Sequence, residues 1–365
     1  MAAPTRELQA ESQLIVALGM SIWKRARVEV FLRQAGASKV LFRTGADRAV
    51  KSAHRKGADL VVWATREPPQ LAPLAEAAGV RVLRMEDGFI RSLGLGSDFL
   101  QGASAVLDRR GIYYDPRQPS DLEHILATYD FDEALLDRGR RLIAQIVATG
   151  VSKYNVGSAD YRLPPMNGQW RILVPGQVED DRSLVLGQGL PNLDLLAKVR
   201  AARPDAWITF KPHPDVDAGH RRGAIADGEA RRFADQVVRG VSAPALIKAH
   251  DEVHTSTSLC GFEALLHGCK VTTYGQPFYA GWGLTMDLNS TSRRGRHLSV
   301  EALAAGALIL YPRYLDPRSS APCGPEQVVA AFAGASLPQV GLLTTLRRLQ
   351  GLSRLKRRRF ATGAR

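Results

Sequence analysis

Short apolar runs alternate with helical patterns along the first half of this 365-residue chain. Leu14–Leu18, Val40–Arg43, Leu60–Ala64 and Val80–Arg84 read as strands, and Lys24–Ala35 and Ala72–Ala78 between them read as helices. Such alternation builds a parallel sheet wrapped by helices, an α/β fold. Ligands of open α/β sheets bind beyond the carboxyl ends of the strands. Ser21 stands where a cap for the first helix belongs, and Lys24, Arg25 and Arg27 put cations near that edge. No GxGxxG follows the first strand, which disfavours a dinucleotide cofactor.

The fourth run leads into Met85-Glu86-Asp87-Gly88 and a Gly-punctuated loop that carries Arg91. Two carboxylates at a strand's carboxyl end suit general acid/base work, although they also suit a simple turn. Leu107–Asp115 reads as a hairpin, and Ser120 with Glu123 forms a capping box that opens a helical stretch through about Thr149. Leu163–Gly168 reads as a linker, after which a second α/β unit starts near Trp170. Its strand Arg171–Pro175 ends in the acidic loop Glu179-Asp180-Asp181-Arg182, and the strand Asp205–Phe210 ends in Lys211-Pro212-His213-Pro214-Asp215. Two prolines hold the chain extended around His213, so its side chain is aimed, and with Lys211 beside it a phosphate contact is expected.

The stretch from His254 to Gly283 reads as strand end, polar turn, short apolar helix, strand and Gly/aromatic loop. Thr257 and Ser258 lie where the helix begins, and a helix N-terminus attracts phosphate through its unpaired N–H groups. Glu263 lies near that end, where a carboxylate accepts hydrogen bonds from ribose hydroxyls. Phe278, Tyr279 and Trp282 among the glycines read as a ligand-binding face, with Tyr279 and Trp282 as sugar or acceptor contacts.

Three cysteines without a CxxC pair suggest neither a disulfide framework nor a zinc site, and no His or further carboxylate stands at ligand spacing beside the acidic loop, so no metal is expected. The chain shows no signal-peptide pattern and no membrane-spanning window, so a cytoplasmic location is expected. A formal net charge of +13 asks for an anionic partner. Part of that charge crowds residues 342–360, where basic residues and leucines interleave at helical spacing. That suits a helix lying on an anionic membrane surface, a solvated tail, or a brace for the first unit. No nucleic-acid module accompanies it, so no nucleic-acid partner is expected.

The blocks EDGFIRSLGLGSD (86–98), LDRRGIYYD (107–115), VSKYN (151–155), GQVEDDRS (176–183), KPHPD (211–215) and TSLCGFEALLHGCKVTTYGQPFYAGWGLT (257–285) resemble, in order, the retaining β-Kdo glycosyltransferases of bacterial capsule assembly, the KpsC type. The start, ALGMSIWKR, looks more like the second of the two modules such proteins often carry in tandem. The resemblance implies a GT-B-like arrangement, with two Rossmann-like domains facing a central cleft. Residues 1–165 would form the acceptor-side domain with a helical insertion, 170–325 the CMP-sugar domain, and 326–365 a basic helical tail.

The implied donor is CMP-β-Kdo, used without a further cofactor, and the implied acceptor is an anionic glycan or glycolipid. Within the resemblance, His213 and Pro214 contact the CMP phosphate with Lys211, Thr257 and Ser258, and Glu263 holds the ribose. Asp181 is the nucleophile of a double displacement and Glu86 the acid/base. Asp87 is a sugar or acceptor contact, and Arg91 or Arg182 holds the sugar carboxylate. A non-catalytic CMP-sugar or glycan-binding module and another GT-B-like nucleotide-sugar enzyme are the competing readings. The first would be expected to lack one of Glu86, Asp181 and His213, all of which are present.

Overall fold

The computed structural model describes residues 14–94, 100–165, 168–289 and 291–335. The expected membrane helix at 342–360 lies outside them, as does most of the 326–365 segment. The described residues form two sheets. The first contains β1 (Leu14–Leu18), β2 (Lys39–Arg43), β3 (Asp59–Trp63), β4 (Val82–Asp87) and β5 (Ser104–Asp108). The second contains β6 (Arg171–Pro175), β7 (Trp207–Lys211), β8 (Gln236–Val237), β9 (Glu252–Thr255), β10 (Lys270–Thr273) and β11 (Met286–Asp287). Two late strands, β12 (Pro312–Leu315) and β13 (Pro322–Cys323), return to the first sheet, whose order is β13-β12-β5-β4-β3-β1-β2.

Strand β1 shows why the first sheet is layered. Its residues alternate between faces, as strand geometry requires. Ile15 and Ala17 pack with Phe31 and Leu32 of the helix Arg25–Gln34. Val16 and Leu18 pack with Ala49 and Val50 of the helix Ala46–Lys56. Strands β2, β1, β3 and β4 run parallel, while β5, β12 and β13 add an antiparallel edge. The second sheet, β11-β10-β9-β6-β7-β8, is parallel throughout. Ile172, Val174, Ile208 and Phe210 cover one face with Leu195, Leu196 and Val199. The other face joins a core that continues through Phe262 and Leu265 to Leu126, Leu142 and Val106, so the two sheets share apolar packing.

Several expectations change here. The second unit does not run to 325, because β12 pairs with β5 in the first sheet. Leu107–Asp115 is no hairpin: it is the end of β5 followed by turns, and the antiparallel partners of β5 are β4 and β12. The stretch through Thr149 is two helices, Asp121–Thr128 and Glu133–Thr149, because Asp132 caps a new start by accepting from Leu135 N. Ser120 does cap the first of them, accepting from Glu123 N at 3.0 Å. Ser21 sits at an N-cap position but makes no capping bond. The helix Ala46–Lys56 has no counterpart among the helices read from sequence, since its buried face consists of Ala, Ser and a single Val.

Candidate active site

Both sheets reverse strand order beside their first strand, β1 against β3 and β6 against β9, and open α/β sheets form crevices at such points. The carboxyl ends of these strands line one cleft of about 650 Å³, a volume suited to a substrate of nucleotide-sugar size. Lys24, Trp63, Glu86 and Asp87 come from the first sheet. Asp181, His213, Thr257, Ser258 and Glu263 come from the second.

Glu86 and Asp87 end β4 and experience opposite fields. Glu86 is 7% exposed and accepts from Thr65 N at 3.0 Å and Asp87 N at 3.2 Å. Burial, then the neighbouring Asp87 charge, pushes its carboxyl up to about 7. Burial also works against the Asp87 charge, but Arg91 and Lys24 outweigh it and hold Asp87 below the usual carboxylate range. Arg91 Nε lies 2.9 Å and Lys24 Nζ 3.1 Å from Asp87 Oδ2. Lys24 also lies 3.7 Å from the centre of the Trp63 ring. Two carboxyls forced apart in this way can divide acid/base and charge-balancing roles.

Asp181 caps the short helix Arg182–Leu186. Its Oδ1 accepts from Ser183 N at 2.9 Å and Ser183 Oγ at 2.7 Å, while Oδ2 lies 3.8 Å from Arg221 Nη2. The cap fixes the carboxylate's direction. Asp180 is more exposed and pairs with Arg221 at 3.3 Å. Arg182 reaches across to the first sheet, donating to the carbonyls of Ala64 and Glu67 at 3.3 Å each. Arg91 is 2% exposed, and its guanidinium is shared among Asp87, Ser92 and the Leu100 carbonyl. Each of the two arginines expected near a sugar carboxylate therefore already has protein partners.

Opposite them, His213 caps Pro214–Asp217 by accepting from Asp215 N on Nδ1 at 3.1 Å, which leaves the proton on Nε2. Burial, opposed by Asp215 and reinforced by Lys153 and Lys211, lowers its pKa to about 4, so the ring is a neutral donor near pH 7. Thr257 is bonded twice to Gln177: its N–H donates to Oε1 and its hydroxyl accepts from Nε2, both at 2.9 Å. Ser258 caps the helix Leu259–Leu266, accepting from Cys260 N at 3.2 Å. Glu263 faces the cleft from that helix and accepts from Lys153 N at 2.9 Å; burial pushes its carboxyl up to about 7.

Tyr279 and Trp282 do not face the cleft. Both are fully buried, Trp282 donating to the Phe278 carbonyl at 2.8 Å and Tyr279 to the Ser258 carbonyl at 2.5 Å. A Cβ on Gly261 would come within 2.3 Å of the Tyr279 hydroxyl, so the ring end rests against the helix start. Arg294 clamps the same loop through the Pro277 and Ala280 carbonyls and pairs with Glu123. The aromatic loop braces the Ser258 turn, and of its rings Phe278 lines the cleft.

Sequence reasoning passed over Lys153, Tyr154, Tyr113 and Gln177, all of which line the cleft. The segments LDRRGIYYD and VSKYN stood out as blocks, but nothing in their patterns gave a role to single residues. Among the described residues, no cluster of three His, Cys, Asp or Glu side chains forms a metal-ligand set. No described helix is long and apolar enough to cross a membrane.

Comparison with known proteins places this chain in a family. Residues 58–314 match the family model for the capsule polysaccharide biosynthesis protein. The chain is 43% identical over 304 residues to the capsule polysaccharide modification protein LipA of Neisseria meningitidis serogroup A, covering 83% of this chain and 43% of LipA. It is 41% identical over 260 residues to the lipopolysaccharide-processing protein LpsZ of Rhizobium meliloti, covering 70% of this chain and 59% of LpsZ. The chain thus spans about half the length of the curated relatives it matches.

Among solved structures, it superimposes on the β-Kdo 2,7 transferase of Thermosulfurimonas dismutans KpsC with a TM-score of 0.71 at 35% identity, covering 87% of this chain and 98% of that one. It matches the β-Kdo 2,4 transferase of the same protein with a TM-score of 0.76 at 28% identity, covering 88% and 98%. The chain belongs to the capsule polysaccharide biosynthesis family and carries the Kdo-transferase-like module of its KpsC-type members.

Proposed function

We propose that this chain is a retaining glycosyltransferase module of GT-B architecture that moves Kdo from CMP-β-Kdo to an anionic glycan or glycolipid acceptor. The observation that carries the reading is the meeting of Glu86, from the first sheet, with Asp181 and His213, from the second, in one cleft. An Asp181 carboxylate oxygen attacks the anomeric carbon as the bond to the phosphate oxygen breaks, and CMP leaves with the bonding pair. The neutral His213 Nε2–H, the Lys211 ammonium and the Ser258 helix start receive the phosphate charge. The acceptor hydroxyl then attacks the same carbon, Glu86 takes its proton, and the Asp181 carboxylate is released. Two inversions return the β configuration, the logic of retaining glycosidases.

Asp87, held ionised between Lys24 and Arg91, offsets part of their positive charge on the acceptor side. The reading includes work at an anionic membrane surface contacted by the basic residues of 342–360, measured by vesicle pull-down of the chain with and without them. The test of the chemistry is Glu86→Gln incubated with CMP-Kdo. Intact-protein mass spectrometry is expected to find one added Kdo, mapped to Asp181, and Asp181→Ala is expected to abolish transfer. An adduct on Asp180, or transfer retained by Asp181→Ala, would refute the assignment.

A further inference from the structure

The anomeric carbon of an ulosonic acid bears its carboxylate and its leaving phosphate on the same atom. A site acting there must hold two anions close together beside its nucleophile, and a cation between the nucleophile and the phosphate donors is the natural counter-ion. Most cations lining the cleft already have partners. Lys24 and Arg91 hold Asp87, Arg182 donates to two carbonyls of the first sheet, and Arg221 pairs with Asp180. Arg66 is exposed on the first-sheet side, and Lys211, which has no hydrogen-bonded or ion-paired ammonium among the described residues, lies in the field of Asp217 and Glu263 and is the lysine assigned to the phosphate.

Lys153 stands apart from the paired cations. Among the described residues no hydrogen bond or ion pair engages its ammonium, which lies 5.2 Å from the centre of the Tyr154 ring. It sits in the fields of both Asp181 and Asp87, and its charge is felt at His213. Its backbone is fixed on three sides. Lys153 N donates to Glu263 Oε1 at 2.9 Å, and its carbonyl accepts from Arg91 N at 3.1 Å and Ser92 N at 3.2 Å. A long side chain on so firmly held a backbone, with only a ring face beside its ammonium and lining the cleft, is suited to a ligand anion.

We infer that Lys153 is the counter-ion of the donor sugar's carboxylate, and so the residue that selects an ulosonic-acid donor. This rests on the CMP-Kdo reading above and goes beyond it by separating the carboxylate subsite from the phosphate subsite. Because the three bonds that hold the segment come from the backbone, substitution of the side chain leaves them in place.

The test is calorimetric titration of the full chain and of its Lys153→Met and Lys153→Arg variants with CMP and with CMP-Kdo. Lys153→Met is expected to bind CMP within about twofold of the unsubstituted chain and to lose about 10- to 100-fold in affinity for CMP-Kdo, the range for a hydrogen bond to a charged group. Lys153→Arg is expected to recover part of that loss. Equal losses for the two ligands would assign Lys153 to the phosphate and overturn the inference, as would no loss for either. Failure of the unsubstituted chain to prefer CMP-Kdo over other nucleotide sugars would instead overturn the donor reading on which the inference stands.

Discussion

The opposed charges around Glu86 allow its role to be tested by moving its titration in both directions. Its carboxyl is raised to about 7 by burial and then by Asp87, while Lys24 pulls it down. Asp87→Asn removes a charge that raises it, and Lys24→Met removes one that lowers it. A charge within about 4–6 Å shifts a carboxyl by about 1–3 in pH, so each substitution is expected to move Glu86 by at least about 1, equivalent to about 1.4 kcal/mol. If Glu86 takes the acceptor's proton, only its ionised form is active, and the rate of Kdo transfer rises with pH through its titration.

The assay is initial transfer rate against pH. Asp87→Asn is expected to move the rising limb to lower pH and Lys24→Met to higher pH. On the acid side of the limb this makes the first about tenfold faster, and the second about tenfold slower, than the unsubstituted chain, relative to each protein's own plateau. Glu86→Gln is expected to lose the limb and slow transfer by about 10²–10⁴-fold. Lys24→Met leaves the Arg91–Asp87 pair intact, whereas Asp87→Asn strips a buried arginine of its partner, so the comparison is made below the melting temperature of the weaker variant. Limbs that shift together, or not at all, would refute Glu86 as the titrating base.

Two further predictions concern stability. Glu263 has its folded pKa raised from 4.5 to about 7, so the protein binds a proton on folding, and stability is lost as pH rises from 4.5 through about 7. Glu263→Gln keeps an oxygen for the Lys153 N–H but not the ionisation, and is expected to melt above the unsubstituted chain at pH 8, by up to about 3 kcal/mol, and close to it at pH 5; a lower melting point at pH 8 would refute this. Gly261→Ala drives a methyl to 2.3 Å from the Tyr279 hydroxyl and is expected to cost about 1–3 kcal/mol and weaken CMP binding, with a smaller penalty in a Tyr279→Phe background; equal penalties in both backgrounds would mean the ring does not press on the helix start.

The strand ends were legible because strand burial and the loop that follows are local properties. Arg171–Pro175 and Leu14–Leu18 stand where their apolar runs end, and the loops that carry Glu86, Asp181 and His213 follow from the rule that ligands gather at carboxyl ends, whereas the choice of Asp181 within its acidic loop came from the family resemblance. The aromatic loop was misread because sequence does not record which way a ring points. Three rings among glycines suit a ligand face or a close-packed brace equally, and Gly261, seventeen residues or more before them, is what makes room for the brace. The return of β12 to the first sheet was hidden for a different reason: pairing with Val106 across about two hundred residues leaves no periodicity to read.

Lys153 was the hardest residue to see, and its position explains how the two halves are held in register. The segment 151–155 has no apolar pattern, yet Arg91, Ser92 and Gly94 donate to its carbonyls, and Asn155 Nδ2 donates back to the Ser92 carbonyl at 3.1 Å. On its other side the Lys153 N–H reaches Glu263 in the helix that Ser258 caps. The loop following Glu86 and the helix start facing His213 are therefore positioned against the same few peptide groups. A reaction at one carbon that uses groups from both sheets tolerates little error in their separation, since effective concentration falls steeply with misplacement of about 1 Å. Backbone bonds supply that control without committing side chains, which leaves the ammonium of Lys153 available to a ligand. Side-chain identity, the quantity a sequence displays, carries almost none of this arrangement.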